Sequence, residues 1–259
     1  MPKLIKEHTI TNVIDYIKII CETKRSNESL GNNAELVFRG QCVDQPLLPR
    51  IARLELRINN NIGLRKTEEL ILAEFKRGIL PLTEFKPEGI WDILALAQHH
   101  GLPTRLLDWT YSALAALWFA VENSPVKKDD GEYENGVVWI LAAEVPDFNI
   151  NFETDDPRKN DITKIFRPNV ISRRISAQSG IFTVHHFRRD NTVIEFEKHS
   201  RFKNKLRKIL IPYKSFASIR KDLNMLGINH AIFFPDLDGW SKHLEWRFAK
   251  LKDEKRTFK

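Results

Sequence analysis

The amino-acid sequence predicts one α+β domain, with a helical N-terminal half packed on a mostly antiparallel sheet. Apolar residues recur at helical spacing through much of the first half. Short runs rich in β-branched and aromatic residues, punctuated by Gly, Pro and Asn, collect in the second. Helices and strands do not alternate one for one, which sets the chain apart from a parallel βαβ sheet. The expected division is an N-terminal helix and loop over 1–33, a main domain over 34–245 and a basic C-terminal tail over 246–259.

Val13, Ile14, Ile17, Ile20 and Cys21 predict an amphipathic helix over 11–23, followed by a polar loop from Lys24 to Asn33. Glu35 to Phe38 reads as a short buried strand that delivers Arg39-Gly40-Gln41 at its end. Arg39 there suits either an ion pair at the core edge or a ligand clamp, and Gly40 would let a ligand approach the backbone. The prolines of 46–53 predict an extended-to-turn segment. Leu70, Ile71 and Phe75 predict a helix over 67–78, and Ile90, Ile93, Leu94 and Ala97 another, ended by Gly101 and Pro103.

A polar loop precedes the next apolar helix, carried by Ala113, Ala116, Leu117, Ala120 and Val121. Ser112 or Thr110 is its plausible N-cap. A solvated loop covers 126–135, a strand 136–143 and an irregular excursion 145–169. Strands are expected over 181–187, 192–197, 207–211 and 230–234. Ser215 is placed to cap a helix bearing Phe216, Ile219 and Leu223, and the last helix is expected from about Ser241.

With 42% hydrophobic and 29% charged residues the composition is that of an ordinary globular protein, long enough for a substantial core. A net charge of +7 favours acidic partners such as nucleic acid or nucleotides. Two cysteines, Cys21 and Cys42, form no CxxC pair, which argues against a disulfide framework and suits a reducing compartment. Residues 1–7 lack the apolar core of a signal peptide, and no apolar run approaches the roughly 20 residues a membrane span needs. A cytoplasmic protein without membrane contact is expected. His99-His100 and His185-His186 cannot chelate as adjacent pairs, because neighbours diverge by about 100° on a helix and point to opposite faces of a strand. No metal is expected. Walker, GxGxxG and GxSxG motifs are absent.

The most informative stretch is 90–122, where Gln98-His99-His100-Gly101-Leu102-Pro103-Thr104-Arg105-Leu106-Leu107-Asp108-Trp109-Thr110 lies between two apolar helices. So many polar groups beside so much apolar surface must bond each other or a ligand. Together with Phe38-Arg39-Gly40, Gln178-Ser179-Gly180-Ile181-Phe182 and Phe234-Pro235-Asp236-Leu237, this stretch resembles the FRG domain family over about residues 34 to 245. The resemblance implies a bacterial or phage-related protein of anti-phage defence; it brings no established catalytic mechanism.

The order of parts also resembles the ADP-ribosyltransferase fold. That resemblance implies a strand-end arginine, Arg39, holding the phosphates of NAD through its planar fork. Thr110-Tyr111-Ser112 before the small residues of the next helix, and Gly180-Ile181-Phe182-Thr183-Val184, echo two further segments of that fold. The glutamate such transferases carry before that glycine is missing, since Ser172-Arg173-Arg174-Ile175-Ser176 holds no carboxylate. On this reading the pocket takes a nucleotide or NAD. His99, Arg105 and Arg39 are the catalytic candidates. Arg39, Gly40, Gln98, Asp108, Thr110, Ser112, Arg174 and Gln178 are the ligand-binding candidates, with Asp108 orienting Arg105 or His99. The role implied is a toxin-like defence effector that transfers ADP-ribose or performs phosphate chemistry on nucleic acid or protein. Two alternatives stand beside it. One is a non-enzymatic sensor or adaptor for RNA or a phage or host protein, with Arg105 and Asp108 as a buried ion pair. The other is a metal-dependent nuclease using Asp108, Asp236 and Asp238.

Overall fold

The computed structural model of the chain describes residues 5–29, 31, 33–55, 62–83, 86–148, 156–157, 159, 162–168 and 178–255. Among the described residues seven strands form one sheet: β1 (Lys6–Thr9), β2 (Glu35–Gln41), β3 (Leu106–Thr110), β4 (Gly136–Ala143), β5 (Lys164–Phe166), β6 (Gly180–Val184) and β7 (Leu206–Ile211). Their order is β1-β7-β4-β2-β3-β6-β5, and every neighbouring pair is antiparallel except β1 with β7. The α+β class predicted from sequence is the class observed. The sheet draws three strands from the first half of the chain and four from the second.

Among the described residues seven α-helices accompany the sheet: α1 (Val13–Ser29), α2 (Gly63–Gly78), α3 (Ile90–His99), α4 (Ala113–Val121), α5 (Phe216–Met225), α6 (His230–Phe233) and α7 (Leu237–Phe248). Directly paired residues of antiparallel strands share a face, so Phe38, Ile140 and Thr110 look to one side and Val37, Trp139 and Trp109 to the other. On the first side α1, α4, α5 and α6 pack over β2, β4 and β7 through Tyr16, Phe38, Ala116, Ile140, Ile209, Phe216 and Phe233. Farther along, α2 and α3 pack through Leu72, Trp91 and Leu94 onto Leu106, Phe166 and Phe182. The second side is closed by Leu47, Phe148, Phe196 and Phe202, carried on extended chain and short 3-10 turns. With both faces covered, β4 is apolar almost throughout, as its sequence Gly-Val-Val-Trp-Ile-Leu-Ala-Ala requires. Among the described residues no helix is long and apolar enough to cross a membrane.

Five local expectations are corrected. The stretch between α3 and α4 is not all loop: Leu106–Thr110 forms the interior strand β3. Residues 192–197 do not pair into the sheet; they cross its second face, and a 3-10 turn over Phe196–Lys198 inserts Phe196 beneath Trp109 with ring centroids 5.6 Å apart. His230 to Phe234 is helical instead of extended, because its rings find partners on α4: Phe233 lies 5.0 Å and His230 5.3 Å from Trp118. Ser215 precedes α5 without a capping side-chain bond, and the last helix begins at Leu237, capped by the Asp236 carboxylate on the Gly239 N–H (2.7 Å).

Candidate functional site

β2 pairs with β4 along all seven of its residues, yet with β3 at a single position, Phe38 opposite Thr110. A continued ladder would set Gly40 opposite Asp108. The two strands part instead, and a cleft of about 440 Å³ opens where they separate. Arg39 bridges the split: its Nη1 donates to the Asp108 carbonyl at 2.8 Å, taking up an acceptor that a ladder bond would otherwise use, and lies 3.7 Å from the Asp108 carboxylate. Its side chain is 15% exposed, and its buried Nε has no hydrogen-bond partner among the described residues. Burial disfavours the charge on this guanidinium; Asp108 offsets that cost and nearby Arg53 adds to it.

Phe38, Arg39 and Gly40 divide three tasks along one strand. Phe38 is buried in the core beneath α4. Arg39 enters the cleft. Gly40 meets the α4 backbone: a Cβ placed there would lie 1.8 Å from the Ala116 carbonyl oxygen and 2.9 Å from the Ala120 nitrogen. Helix approach therefore requires this glycine, which also lines the cleft.

A chain of bonds fixes the opposite wall. The Leu106 N–H donates to the Thr104 hydroxyl (3.0 Å), Thr104 donates to the Gln98 carbonyl oxygen (2.7 Å), and the Gln98 amide donates to the Asp108 carboxylate (2.9 Å). Gln98 is thereby held in one orientation at the end of α3, next to His99, which also lines the cleft. Asp108 thus works with Gln98 and Arg39, and the expected pairing with Arg105 is corrected. At the far lip the Thr110 hydroxyl donates to the Gln178 carbonyl (2.6 Å) while accepting the Ser112 N–H (2.9 Å), and the Gln178 amide donates to the Phe233 carbonyl (3.2 Å).

The cleft thus gathers Arg39, Gly40, Gln98, His99, Asp108, Thr110 and Gln178 from widely separated positions. It excludes two candidates. Arg105 is fully buried elsewhere: its Nε and backbone N–H each donate to Glu68 at 2.6 Å, its Nη1 donates to the Pro157 carbonyl at 2.8 Å, and its guanidinium stacks on Phe187 at 4.4 Å. It is neither a wall of the cleft nor the ion partner of Asp108. Ser112 caps α4 by accepting the Ala115 N–H (3.2 Å) and does not line the cleft. Arg174 lies outside the described residues.

The structure adds residues that sequence reasoning missed: Gln41, Arg53, Phe119 and Glu122. Arg50 and Arg53 fall on one 3-10 turn, where residues three apart share a face, and Arg50 donates to the Gly101 carbonyl. Burial and then the neighbouring Arg50 hold the Arg53 guanidinium below its usual range, and Asp108 offsets part of that shift. Among the described residues no three His, Cys, Asp or Glu side chains converge to hold a metal ion, so Asp108, Asp236 and Asp238 do not form the cluster the nuclease alternative needs.

No curated protein and no solved structure matches the chain. A family model does match, over residues 34–129, a span that contains Arg39, Gln98, His99, Asp108 and Glu122 and stops before Gln178. That model is the FRG domain, and the likeness covers this span of the chain.

Proposed function

We propose that the cleft between β2 and β3 binds a nucleotide of the NAD type, and that the protein acts on it as an effector of anti-phage defence. The observation that carries this reading is the parted sheet with Arg39 held in the gap. Arg39 and Arg53 offer two guanidiniums to a pyrophosphate, while the Asp108 and Glu122 carboxylates line the same cleft and suit ribose hydroxyls or a cationic nicotinamide ring. Two cations balanced by two carboxylates suit such a mixed ligand better than a plain polyphosphate. Phe119, partly exposed at the rim, supplies a ring face for a base. The distant likeness to ADP-ribosyltransferases supports the same placement, and Asp108 and Glu122 supply carboxylates that the sequence before Gly180 lacks.

The reaction that fits is transfer of ADP-ribose to nucleic acid or protein. The bond between nicotinamide and ribose breaks, nicotinamide leaves with the bonding electrons, and an acceptor oxygen or nitrogen takes the ribose carbon while its proton passes to His99. His99 is suited by its place in the cleft wall and by an imidazole able to accept a proton. Calorimetric titration of NAD into the wild type, Arg39→Ala and His99→Ala tests the reading, with nicotinamide release followed in parallel. Binding lost in a folded Arg39→Ala, and turnover lost in His99→Ala with binding kept, are the expected results. Failure of the wild type to bind NAD, alone or with RNA or cell extract, refutes it.

A further inference from the structure

A second concavity, of about 670 Å³, shares no lining residue with the cleft. It forms where the first turn of α2 meets the turn over 188–191, and Arg65, Lys66, His186, Arg188 and Arg189 line it. The turn is rigidly built. Backbone bonds run from the Asn191 N–H to the Arg188 carbonyl and from the Arg188 N–H to the Thr192 carbonyl, each 3.0 Å, and the Asp190 carboxylate accepts from the Thr192 N–H (3.0 Å) and hydroxyl (2.6 Å). Phe187, 1% exposed beneath the Arg105 guanidinium, anchors its base.

The turn also seats on α2. Gly63 has φ +73°, a backbone that demands glycine, and it lies directly against the Asn191 side chain, where a Cβ would come within 2.2 Å of Oδ1. The helix then places Arg65 and Lys66 in its first turns with no acidic residue in the first, where the helix dipole disfavours cations. Helix stability does not explain them. Of the two carboxylates nearby, Glu69 pairs with Lys66 at 3.3 Å and Asp190 is engaged by Thr192 beside Arg188. Among the described residues Arg65, Arg188 and Arg189 form no side-chain hydrogen bond or ion pair.

We infer that this basic concavity docks the phosphodiester backbone of a nucleic-acid duplex. Several cations held on two rigid elements match a row of phosphates, and the net charge of +7 adds long-range attraction. Of its two aromatic rings among the described residues, Phe187 is buried and His186 is half-buried, so the surface is dominated by cations and lacks the row of exposed rings on which successive unpaired bases stack; it suits backbone contact over single-strand reading. A membrane surface would ask for apolar side chains around the cations, and among the described residues Ile62, 38% exposed, is the one exposed apolar residue lining it.

The test is fluorescence anisotropy of a short labelled DNA duplex between about 50 and 200 mM salt. For the wild type, log K should fall linearly with log salt. In Arg65→Ala/Arg188→Ala/Arg189→Ala the slope should shrink by about 0.9 for each phosphate contact removed. Arg188→Glu/Arg189→Glu, confined to the exposed turn, should abolish binding while the protein stays folded by circular dichroism. Lys18→Ala/Lys24→Ala/Arg25→Ala removes the same charge from α1 and should leave the slope unchanged. No duplex binding by the wild type at the lowest salt, an unchanged slope in the first variant, or an equal drop in the α1 variant overturns the inference. None of these results depends on NAD binding in the cleft.

Discussion

Replacing Arg105 should unfold this protein far more readily than replacing Arg39, although both are arginines of the same polar stretch and its partner strand. Arg105 and Glu68 are both fully buried. Glu68 receives the Arg105 Nε and backbone N–H at 2.6 Å, while Nη2 lies equally near without the alignment of a hydrogen bond. Truncation to Ala leaves the Glu68 carboxylate buried with one backbone donor, a situation that costs roughly 3–5 kcal/mol. For a chain of this size that is a fall in melting temperature on the order of 6–20 °C. Arg39, by contrast, gives up one bond to a carbonyl beside an open cleft, worth about 1 kcal/mol and therefore a few degrees. Thermal melts followed by circular dichroism measure both. Arg105→Met/Glu68→Leu, which removes both charges together, should melt above either single truncation. Equal destabilisation by Arg39→Ala and Arg105→Ala would make Arg39 a structural residue and remove the main support for a ligand clamp. A stable Arg105→Ala protein would refute the buried-pair account.

Two further perturbations bear on the surroundings of the cleft. The His185 ring is pushed down to about 3, first by burial and then by His199 and Arg39, and its Nε2 lies 3.1 Å from the Thr183 hydroxyl, which already accepts the Trp109 indole N–H. The unfolded ring takes a proton near pH 6.5 and the folded ring does not. Stability should therefore fall as pH drops from about 6.5 toward 3, with a contribution on the order of 1.4 kcal/mol per pH unit; urea titrations of His185→Gln should show a shallower decline, and an unchanged decline would rule this ring out as its source. Gly40→Ala should destabilise by about 1–3 kcal/mol or more, because the new methyl collides with the Ala116 carbonyl, whereas Gly78→Ala, with open space around its Cβ, should be neutral in the same melts.

The long periodic helices and the apolar strand β4 were legible because one element decides its own pattern there. The errors fell where a neighbour decides. His-Ala-Ile-Phe-Phe at 230–234 is a short apolar run that suits a strand or a buried helix equally; the rings of Trp118 and Phe119 on α4 select the helix. Residues 192–197 carry a partial alternation, but only Phe196 is fully buried while Ile194 is 40% exposed, because the segment crosses the sheet face instead of joining it. β3 escaped notice since Leu-Leu-Asp-Trp-Thr is five residues long and broken by a carboxylate; its burial comes from β6 and α3, neither adjacent in sequence.

The site was legible in its membership and obscure in its roles, and Arg105 shows why. Sequence reveals that a loop crowded with polar groups must satisfy them, but not with which partners. Glu68 lies 37 residues upstream on a helix whose own periodicity gives no hint of an inward carboxylate. The same blindness hides Glu122, which enters the cleft only because α4 runs close enough to β2 to touch the Gly40 backbone. Phe38, Arg39 and Gly40 are therefore best understood as one device. The phenylalanine fixes the strand beneath α4, the glycine lets that helix descend, and the descent sets Phe119 and Glu122 at the rim of the gap that Arg39 spans. A substitution at Gly40 should consequently disturb the cleft as well as the core, even though its missing side chain points away from any ligand.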